Sequence, residues 1–168
     1  MAERHARKQL GLRTMADFTI EREITIEAPV EVVWRTITEP DQIAQWFANR
    51  VELDAKPGGA GVFVFENDAG ETVDTAPLVV ETVEPPSRFS FRWNHPEGTR
   101  PAGDNSLLVE FTLVPDGSER TLLRVAESGL DSLSWAEEDK VNYAQDHRSG
   151  WANFMDRLAG LHAGRAPG

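Results

Sequence analysis

Apolar residues occupy every second position from 18 to 26, with Arg22 as the polar exception, and polar residues fill the positions between them. This alternation predicts a β-strand with one buried and one solvated face. Pro29 follows, and it suits the first turn of a helix, because its missing N–H is no loss there. Apolar residues then recur at helical spacing as far as Ile37, which predicts a short first helix.

A second short helix is predicted directly after the first. Thr38 and Asp41 have the spacing of a capping-box relative, and Pro40 lies just inside it. The helix should run from there to about Phe47. The two helices would then form a helix-turn-helix elbow that ends on Trp46 and Phe47.

The middle of the chain consists of strand patterns separated by turn residues such as the KPGGAG at 56–61. Together with the first strand they make seven candidate strands in meander order. The longest loop is the NHPEGTRPAGD at 94–104. The six further strands are predicted at 50–54, 62–66, 78–83, 89–93, 107–114 and 122–127.

A long helix closes the pattern. Ser134 and Glu137 resemble a capping box, and an apolar stripe then continues at steps of four and three residues. The stripe consists of Tyr143, His147, Trp151, Phe154, Leu158 and Leu161. One strand, two short helices, antiparallel strands and a long C-terminal helix predict an α+β fold, in which the sheet buries one face against that helix.

Length and charge limit the function classes. The 168 residues fit one domain of about 100 to 200 residues, which we place at 17–163 between a flexible tail at 1–16 and a short tail at 164–168. A net charge of −11 disfavours nucleic acid and anionic membrane surfaces as partners. The chain has no cysteine and no apolar run long enough for membrane insertion. We therefore expect a cytoplasmic protein.

The first fourteen residues are locally basic, unlike the rest of the chain. A basic arm that binds nucleic acid is one interpretation. A frayed tail, or a natural start at Met15, is the alternative that we favour. We assign this segment no function.

Four segments resemble one known family: EAPVEVVWRTITEPDQIAQWF at 27–47, ELDAKPGG at 52–59, ESG at 127–129 and GWANFMDRL at 150–158. Their residues and order are similar to those of the Hsp90-ATPase-activator-homologue (AHSA1-like) family of the START-like (SRPBCC) superfamily. The resemblance implies the helix-grip (START/Bet v 1-like) fold. In this fold a curved antiparallel sheet of about six to seven strands wraps round a long C-terminal helix, with two short helices after the first strand.

The resemblance also implies an internal cavity closed at one end by the elbow. Its expected ligand is a small hydrophobic molecule, because the aromatic residues on the predicted strands and the last helix would supply an apolar lining. The alternative is that these residues fill an ordinary core. The candidate lining residues are Trp46, Phe47, Phe63, Phe65, Phe89, Phe91, Trp93, Phe111, Trp151 and Phe154.

Three polar residues are candidates for contact with the ligand. His147 lies on the apolar stripe and could bind a ligand, act as a base or be an ordinary boundary histidine. Arg22 could bind an acidic group of a ligand or pair with Glu66 or another acid. His95 lies in the long loop, where the plain reading is an exposed side chain.

A catalytic triad, a phosphate-binding loop and a zinc site are all disfavoured. Asp146, His147 and Ser149 diverge on a helix and cannot form a catalytic triad. PGGAG lacks the Lys and Ser or Thr of a phosphate loop. The histidines lack zinc-ligand spacing and have no cysteine partners. We predict no cofactor and no metal.

Three functions remain open. The first is a non-enzymatic protein, monomeric or homodimeric, that binds an aromatic or polyketide-like molecule for transport, sensing or sequestration, including antibiotic self-resistance. The second, implied by the family, is a module that stimulates the ATPase of an Hsp90-type chaperone. The third is an aromatase, cyclase or hydrolase, for which the sequence shows no obvious acid–base pair.

Overall fold

The computed structural model describes residues 18–95 and 98–163. The predicted tails, Met15 and His5 lie outside the described residues, as do positions 96 and 97 of the long loop. The elements in chain order are β1 (Ile20–Ile26), α1 (Val30–Thr38), α2 (Pro40–Ile43), β2 (Arg50–Leu53), β3 (Ala60–Glu66), β4 (Thr72–Glu84), β5 (Arg88–Trp93), β6 (Leu107–Pro115), β7 (Thr121–Ser128), a 3-10 turn (Leu130–Ser132) and α3 (Glu137–Ala163).

The seven strands form one antiparallel sheet in the order β1-β7-β6-β5-β4-β3-β2. The meander is continuous from β2 to β7, and β1 pairs with β7 at the far edge. The long helix α3 packs against the sheet and contacts β1. This arrangement confirms the predicted helix-grip fold.

Inward-facing residues of neighbouring strands form the core between the sheet and α3. Strand β6 alternates buried and partly exposed residues from Leu107 to Leu113, as expected for a sheet with one solvated face. Strand β7 repeats the pattern with Leu123, Val125 and Glu127 turned inward. An acidic residue therefore occupies a core position of the sheet.

The elbow forms as predicted, but its second helix is shorter. Helix α2 ends at Ile43, and a turn carries the chain to Phe47, whose N–H donates to the carbonyl of Ile43. The predicted capping box at Thr38 is wrong, because the Thr38 hydroxyl donates 2.7 Å to the Trp34 carbonyl in the last turn of α1. Ser/Thr hydroxyls compete for backbone carbonyls one turn earlier in this way.

The predicted capping box at Ser134 is also wrong. Helix α3 begins at Glu137, whereas a cap at Ser134 would start it two residues earlier. The preceding 3-10 turn buries Leu130 and Leu133 in the core, and this burial fixes the chain in a non-helical path before the helix can start. Further along, Met155 takes a buried place on the stripe, while Leu161 is exposed.

Strand β4 is longer than the predicted strand at 78–83, because it starts at Thr72. Its first half is exposed on both faces apart from Ala76, so apolar alternation does not mark it. Pairing with β3 extends the strand, with Phe63 opposite Ala76 and Phe65 opposite Asp74. The extension places Asp74 and Ala76 beside α3, where they line the candidate site.

Candidate functional site

A fully buried carboxylate, Glu127, lies on the inner face of the sheet near the end of β7, the second strand from one edge. Its relative exposure is 0%, and it stands on β7 directly beside Val109 of β6. A carboxylate without partners in such a place would be very costly, because burial removes its hydration. The side chains around it therefore have to supply hydrogen bonds.

Four donors surround the Glu127 carboxylate. Trp151 Nε1 donates to Oε1 at 2.9 Å, and His147 Nδ1 lies 2.7 Å from the same oxygen. Trp93 Nε1 donates to Oε2 at 2.8 Å, and the Tyr143 hydroxyl donates to Oε2 at 2.5 Å. Both oxygens are thus doubly hydrogen-bonded, as buried carboxylates require.

The spacing of α3 produces three of these donors. Tyr143, His147 and Trp151 stand four residues apart, so they share one face of the helix, and this face points at Glu127. The Tyr143 and His147 rings stack with their centroids 3.7 Å apart. The predicted stripe is therefore a set of hydrogen-bond donors as well as a packing surface.

A further residue supports Tyr143 from the end of β5. Asn94 has a positive φ of 58°, a conformation that asparagine tolerates better than most residues. Its side-chain amide donates to the Tyr143 hydroxyl, which in turn donates to Glu127. The network thus runs from β5 through α3 to β7.

These partners decide the protonation of Glu127. Burial alone raises the pKa of its carboxyl group, but the hydrogen bond and charge of His147, with the hydrogen bonds of Tyr143 and Trp151, outweigh burial and hold the pKa below its ordinary value of 4.5. Burial also raises the pKa of Tyr143 above its ordinary value, and the neighbouring Glu127 charge adds to this. Near neutral pH, Glu127 is an acceptor and Tyr143 a donor.

An open pocket of about 370 Å³ adjoins the network, between α3 and the strands β3 to β5. Its lining includes five aromatic rings of Phe and Trp and four polar side chains. His147 belongs to both the pocket and the network, because it lines the pocket and contacts Glu127. The lining residues are Phe47, Phe65, Asp74, Ala76, Trp93, Asn94, Asp146, His147, Gly150, Trp151 and Phe154.

The elbow supplies the central ring of this wall. Phe47 stacks on Trp151 with an interplanar angle of 12° and centroids 5.4 Å apart. Its ring also lies 4.7 Å from the Phe154 ring and 4.9 Å from the Phe63 ring, measured between centroids. Phe47 therefore separates the pocket from the packed aromatic residues behind it.

The structure divides the predicted lining residues into two groups. Phe47, Phe65, Trp93, His147, Trp151 and Phe154 line the pocket. The others surround a void of only about 10 Å³ beneath the elbow, where the rings pack against one another. This second group consists of Trp46, Phe63, Phe89, Phe91 and Phe111.

Arg22 lies apart from both groups. It is on β1, at the opposite edge of the sheet from β3, and its guanidinium pairs with Asp156 of α3 at 3.8 Å. Both side chains are well exposed, at 45% and 68%. Glu66, the other suggested partner of Arg22, pairs instead with Arg50 at 3.1 Å. His95 lines a separate cleft beside Trp135.

Sequence reasoning missed Glu127, and with it the carboxylate–histidine pair that Glu127 forms with His147. A signal was present, because Arg124 marks the outward parity of β7, which turns Leu123, Val125 and Glu127 inward. An acid on the inward parity predicts a buried polar network. Asp74 and Asn94 carried no comparable signal, because they lie in a strand extension and a loop.

The described residues contain neither a metal-binding cluster nor a membrane-spanning helix. Within residues 18–95 and 98–163, no three His, Asp or Glu side chains are grouped so that they could hold a metal ion. None of the helices in the described part of the chain is long and apolar enough to cross a membrane.

Solved structures share the fold. Protein MLL2253 from Mesorhizobium loti is 26% identical, with a TM-score of 0.66 over 85% of this chain and 95% of its own. DynU16, a protein in the dynemicin biosynthetic locus, is 28% identical, with a TM-score of 0.65 over 87% of this chain. The match spans 48% of DynU16, so this chain corresponds to about half of that protein. The Aha1 dimer from Colwellia psychrerythraea is 20% identical, with a TM-score of 0.67 over 88% of this chain and 98% of its own, and shows the fold alone.

A comparison with curated proteins finds no significant match. The family model described as "Activator of Hsp90 ATPase homolog 1-like protein" matches residues 27–163, which include all of the elbow, the Glu127 network and the pocket. The match confirms the family that the sequence motifs indicated. This chain belongs to the Activator of Hsp90 ATPase homolog 1-like family.

Proposed function

We propose that this protein binds a small hydrophobic molecule, aromatic or polyketide-like, in the pocket between α3 and β3–β5. The observation that carries the proposal is the pocket itself, whose volume of about 370 Å³ lies within the usual range of small-molecule sites. Five aromatic side chains line it, together with a few polar side chains. Such a combination favours a ligand with an apolar body and few polar substituents.

The hydrogen-bonded network keeps this lining in place. Trp93 and Trp151 present ring surface to the pocket while their N–H groups are bound to Glu127. Their orientations are therefore fixed before a ligand arrives, and a fixed site loses less conformational entropy on binding. Preorganisation supports a binding role for the pocket over a chance packing defect.

The biological role that we propose is carriage or sequestration of the ligand, including self-resistance to a natural product. The similarity to DynU16, a protein in the dynemicin biosynthetic locus, supports this context. Sequestration requires affinity for the ligand but no turnover. An aromatic pocket provides such affinity.

A second candidate function is contact with an Hsp90-type chaperone, which the description of the family favours. Stimulation of a purified Hsp90 ATPase by this protein would support it. The same preparation should be tested for self-association, because Aha1 from Colwellia psychrerythraea, which shares the fold, is a dimer. Binding of a small molecule alone would leave the first proposal as the better account.

Thermal unfolding against a panel of aromatic and polyketide-like compounds tests the main proposal. A ligand at a hundredfold excess over its Kd should stabilise the protein by about 2.7 kcal/mol, which raises the Tm of a domain of this size by roughly 5 to 10 °C. Phe154→Ala should reduce the shift, since Phe154 lines the pocket. Trp34→Ala is the matched control, because Trp34 is also a partly buried aromatic residue but contacts Phe89, and neither residue lines the pocket.

Three results would count against the proposal. These are no shift with any compound, an equal loss of shift in both variants, and an unchanged shift in Phe154→Ala. An undiminished shift would mean that the ligand binds outside the pocket.

A further inference from the structure

The two ring nitrogens of His147 lie in different surroundings. Nδ1 is 2.7 Å from the buried Glu127 Oε1, while the ring itself lines the pocket and the side chain is 27% exposed. Among the hydrogen bonds of the described residues, the His147 ring takes part through Nδ1 alone. One nitrogen is therefore held by the protein, and the other is left for a molecule in the pocket.

The Glu127 network defines which nitrogen carries the hydrogen. The Glu127 carboxylate accepts hydrogen bonds from three other donors, and these keep it ionised. An ionised carboxylate at 2.7 Å requires a hydrogen on Nδ1. Neutral His147 then has its lone pair on Nε2, which makes Nε2 the basic atom of the pocket.

We infer that the pocket is a proton-transfer site, in which His147 Nε2 removes a proton from the acidic O–H of a bound apolar molecule and Glu127 positions the imidazole. This inference rests on the proposed binding function. The substrate class is an aromatic or conjugated molecule with a phenolic or enolic hydroxyl. The ring of such a molecule would pack against the aromatic wall, and its hydroxyl would contact the single basic nitrogen.

The step is balanced without any further reactant. The O–H bond of the ligand breaks, its electron pair stays on the oxygen, and an N–H bond forms at Nε2. The imidazolium then carries hydrogens on both nitrogens and forms an ion pair with Glu127. The proton does not continue to Glu127, because the other three donors stabilise the carboxylate in its ionised form.

Two further carboxylates face the pocket. Asp74 on β4 and Asp146 on α3 are among its lining residues. These carboxylates disfavour a phenolate elsewhere in the pocket. The neighbouring Tyr143 stacks on His147 and remains a neutral phenol. A stable phenolate is therefore expected only in direct contact with the imidazolium.

The probes 4-nitrophenol and 4-nitroanisole test the inference, because they differ only in the ionisable hydrogen. Binding of both is measured by NMR, and ionisation of bound 4-nitrophenol is followed by its phenolate absorption between pH 5 and 8. We expect the bound phenol to ionise about one pH unit lower in the wild type than in His147→Gln, a tenfold difference in its acidity. His95→Gln is the matched control, since His95 does not line this pocket.

A separate variant tests the positioning by Glu127. Glu127→Gln, with its fold checked by circular dichroism and its Kd for 4-nitroanisole measured so that both probes are compared at saturation, should ionise bound 4-nitrophenol at the same pH as His147→Gln. If this variant does not fold, Tyr143→Phe replaces it. Removing one donor leaves more negative charge to act on His147, so the bound phenol should ionise at a lower pH than in the wild type.

The outcomes separate the two proposals. If both probes bind and 4-nitrophenol ionises alike in the wild type and His147→Gln, the inference is wrong and the binding function stands. The same holds if only the ether binds, or if the replacement variant Tyr143→Phe leaves the ionisation unchanged. If neither probe binds the wild type, and no other compound of the panel does, both proposals are wrong.

Discussion

The aromatic interior of this protein has two regions built from the same kinds of residue, a packed one beneath the elbow and an open one beside α3. In the packed region, Trp46, Phe63 and Phe111 surround a void of only about 10 Å³. In the open region, Phe65, Trp93 and Phe154 line a pocket of about 370 Å³. Phe47 belongs to both linings.

The difference lies in what the rings are attached to. Rings of the packed region contact other rings edge to face, as Phe111 does with Trp46 at 90°, and Trp46 Nε1 donates to the Thr36 carbonyl of the elbow at 2.9 Å. In the open region, Trp93 and Trp151 are tied by hydrogen bonds to Glu127 and cannot turn into the free space without losing these bonds. The buried carboxylate therefore fixes two rings of the pocket wall, one of which, Trp151, also borders the packed region.

Truncation in the packed region should have the largest effect. Phe111→Ala is expected to lower the free energy of unfolding by about 3 to 5 kcal/mol, because it leaves a cavity in a dense core. Phe65→Ala, in the wall of the open pocket, should cost only about 1 kcal/mol, since its ring is partly exposed already. Urea unfolding measures both. Equal losses would mean that the two regions are packed alike.

Glu127→Gln should cause the second-largest loss in the free energy of unfolding. The uncharged amide places a donor among groups that already donate, so we expect a loss of about 3 kcal/mol in the free energy of unfolding. Glu110→Gln is the matched control, because Glu110 lies on the neighbouring strand and pairs with Arg88 near the surface; its loss should be about 0 to 1 kcal/mol. A loss of this small size for Glu127→Gln would contradict the role given to the network.

The contribution of Glu127 to stability should also depend on pH. This effect should be smaller than the loss in Glu127→Gln at neutral pH and confined to acid pH. The pKa of Glu127 is lower in the folded protein than its ordinary value of 4.5. Its stabilisation is therefore complete above pH 4.5 and disappears as the pH falls through the folded pKa. Urea unfolding of the wild type and Glu127→Gln, from pH 7 down to the acid limit of folding, should show the stability gap closing only below pH 4.5. A gap that widens towards acid would reverse the sign of the assigned shift.

Local alternation and helical spacing indicated β1, the elbow, the meander of the later strands and α3, because each element buries one face and its residues follow that face. The helix-grip arrangement came from the resemblance to a known family, and the pairing of β1 with β7 was not predicted. The caps at Thr38 and Ser134 failed for a physical reason. Thr38 binds a carbonyl of its own helix, and the turn after Gly129 buries leucines before α3 can begin.

Only part of the candidate site could be predicted from such patterns. His147 and Trp151 were found because they lie on a helical stripe, but the stripe does not reveal what it faces. Glu127 comes from a strand sixteen residues before Tyr143, and only the fold brings the two together. Parity could identify Glu127 as an inward acid, whereas its four partners depend on the packing of α3 across the sheet.

The smallest expected effect concerns Arg22, which the sequence placed on the inward side of the first strand. The structure keeps that parity but gives the guanidinium an exposed partner, Asp156, at 3.8 Å, away from the pocket. Arg22→Ala should change the free energy of unfolding by only about 0 to 1 kcal/mol, as exposed ion pairs do, and should leave the Kd for 4-nitroanisole unchanged. Phe154→Ala is the comparison, because it should weaken that binding. Weaker binding in Arg22→Ala would mean that the site extends along α3 to the edge of the sheet, and the contrast between an open and a packed region would have to include β1.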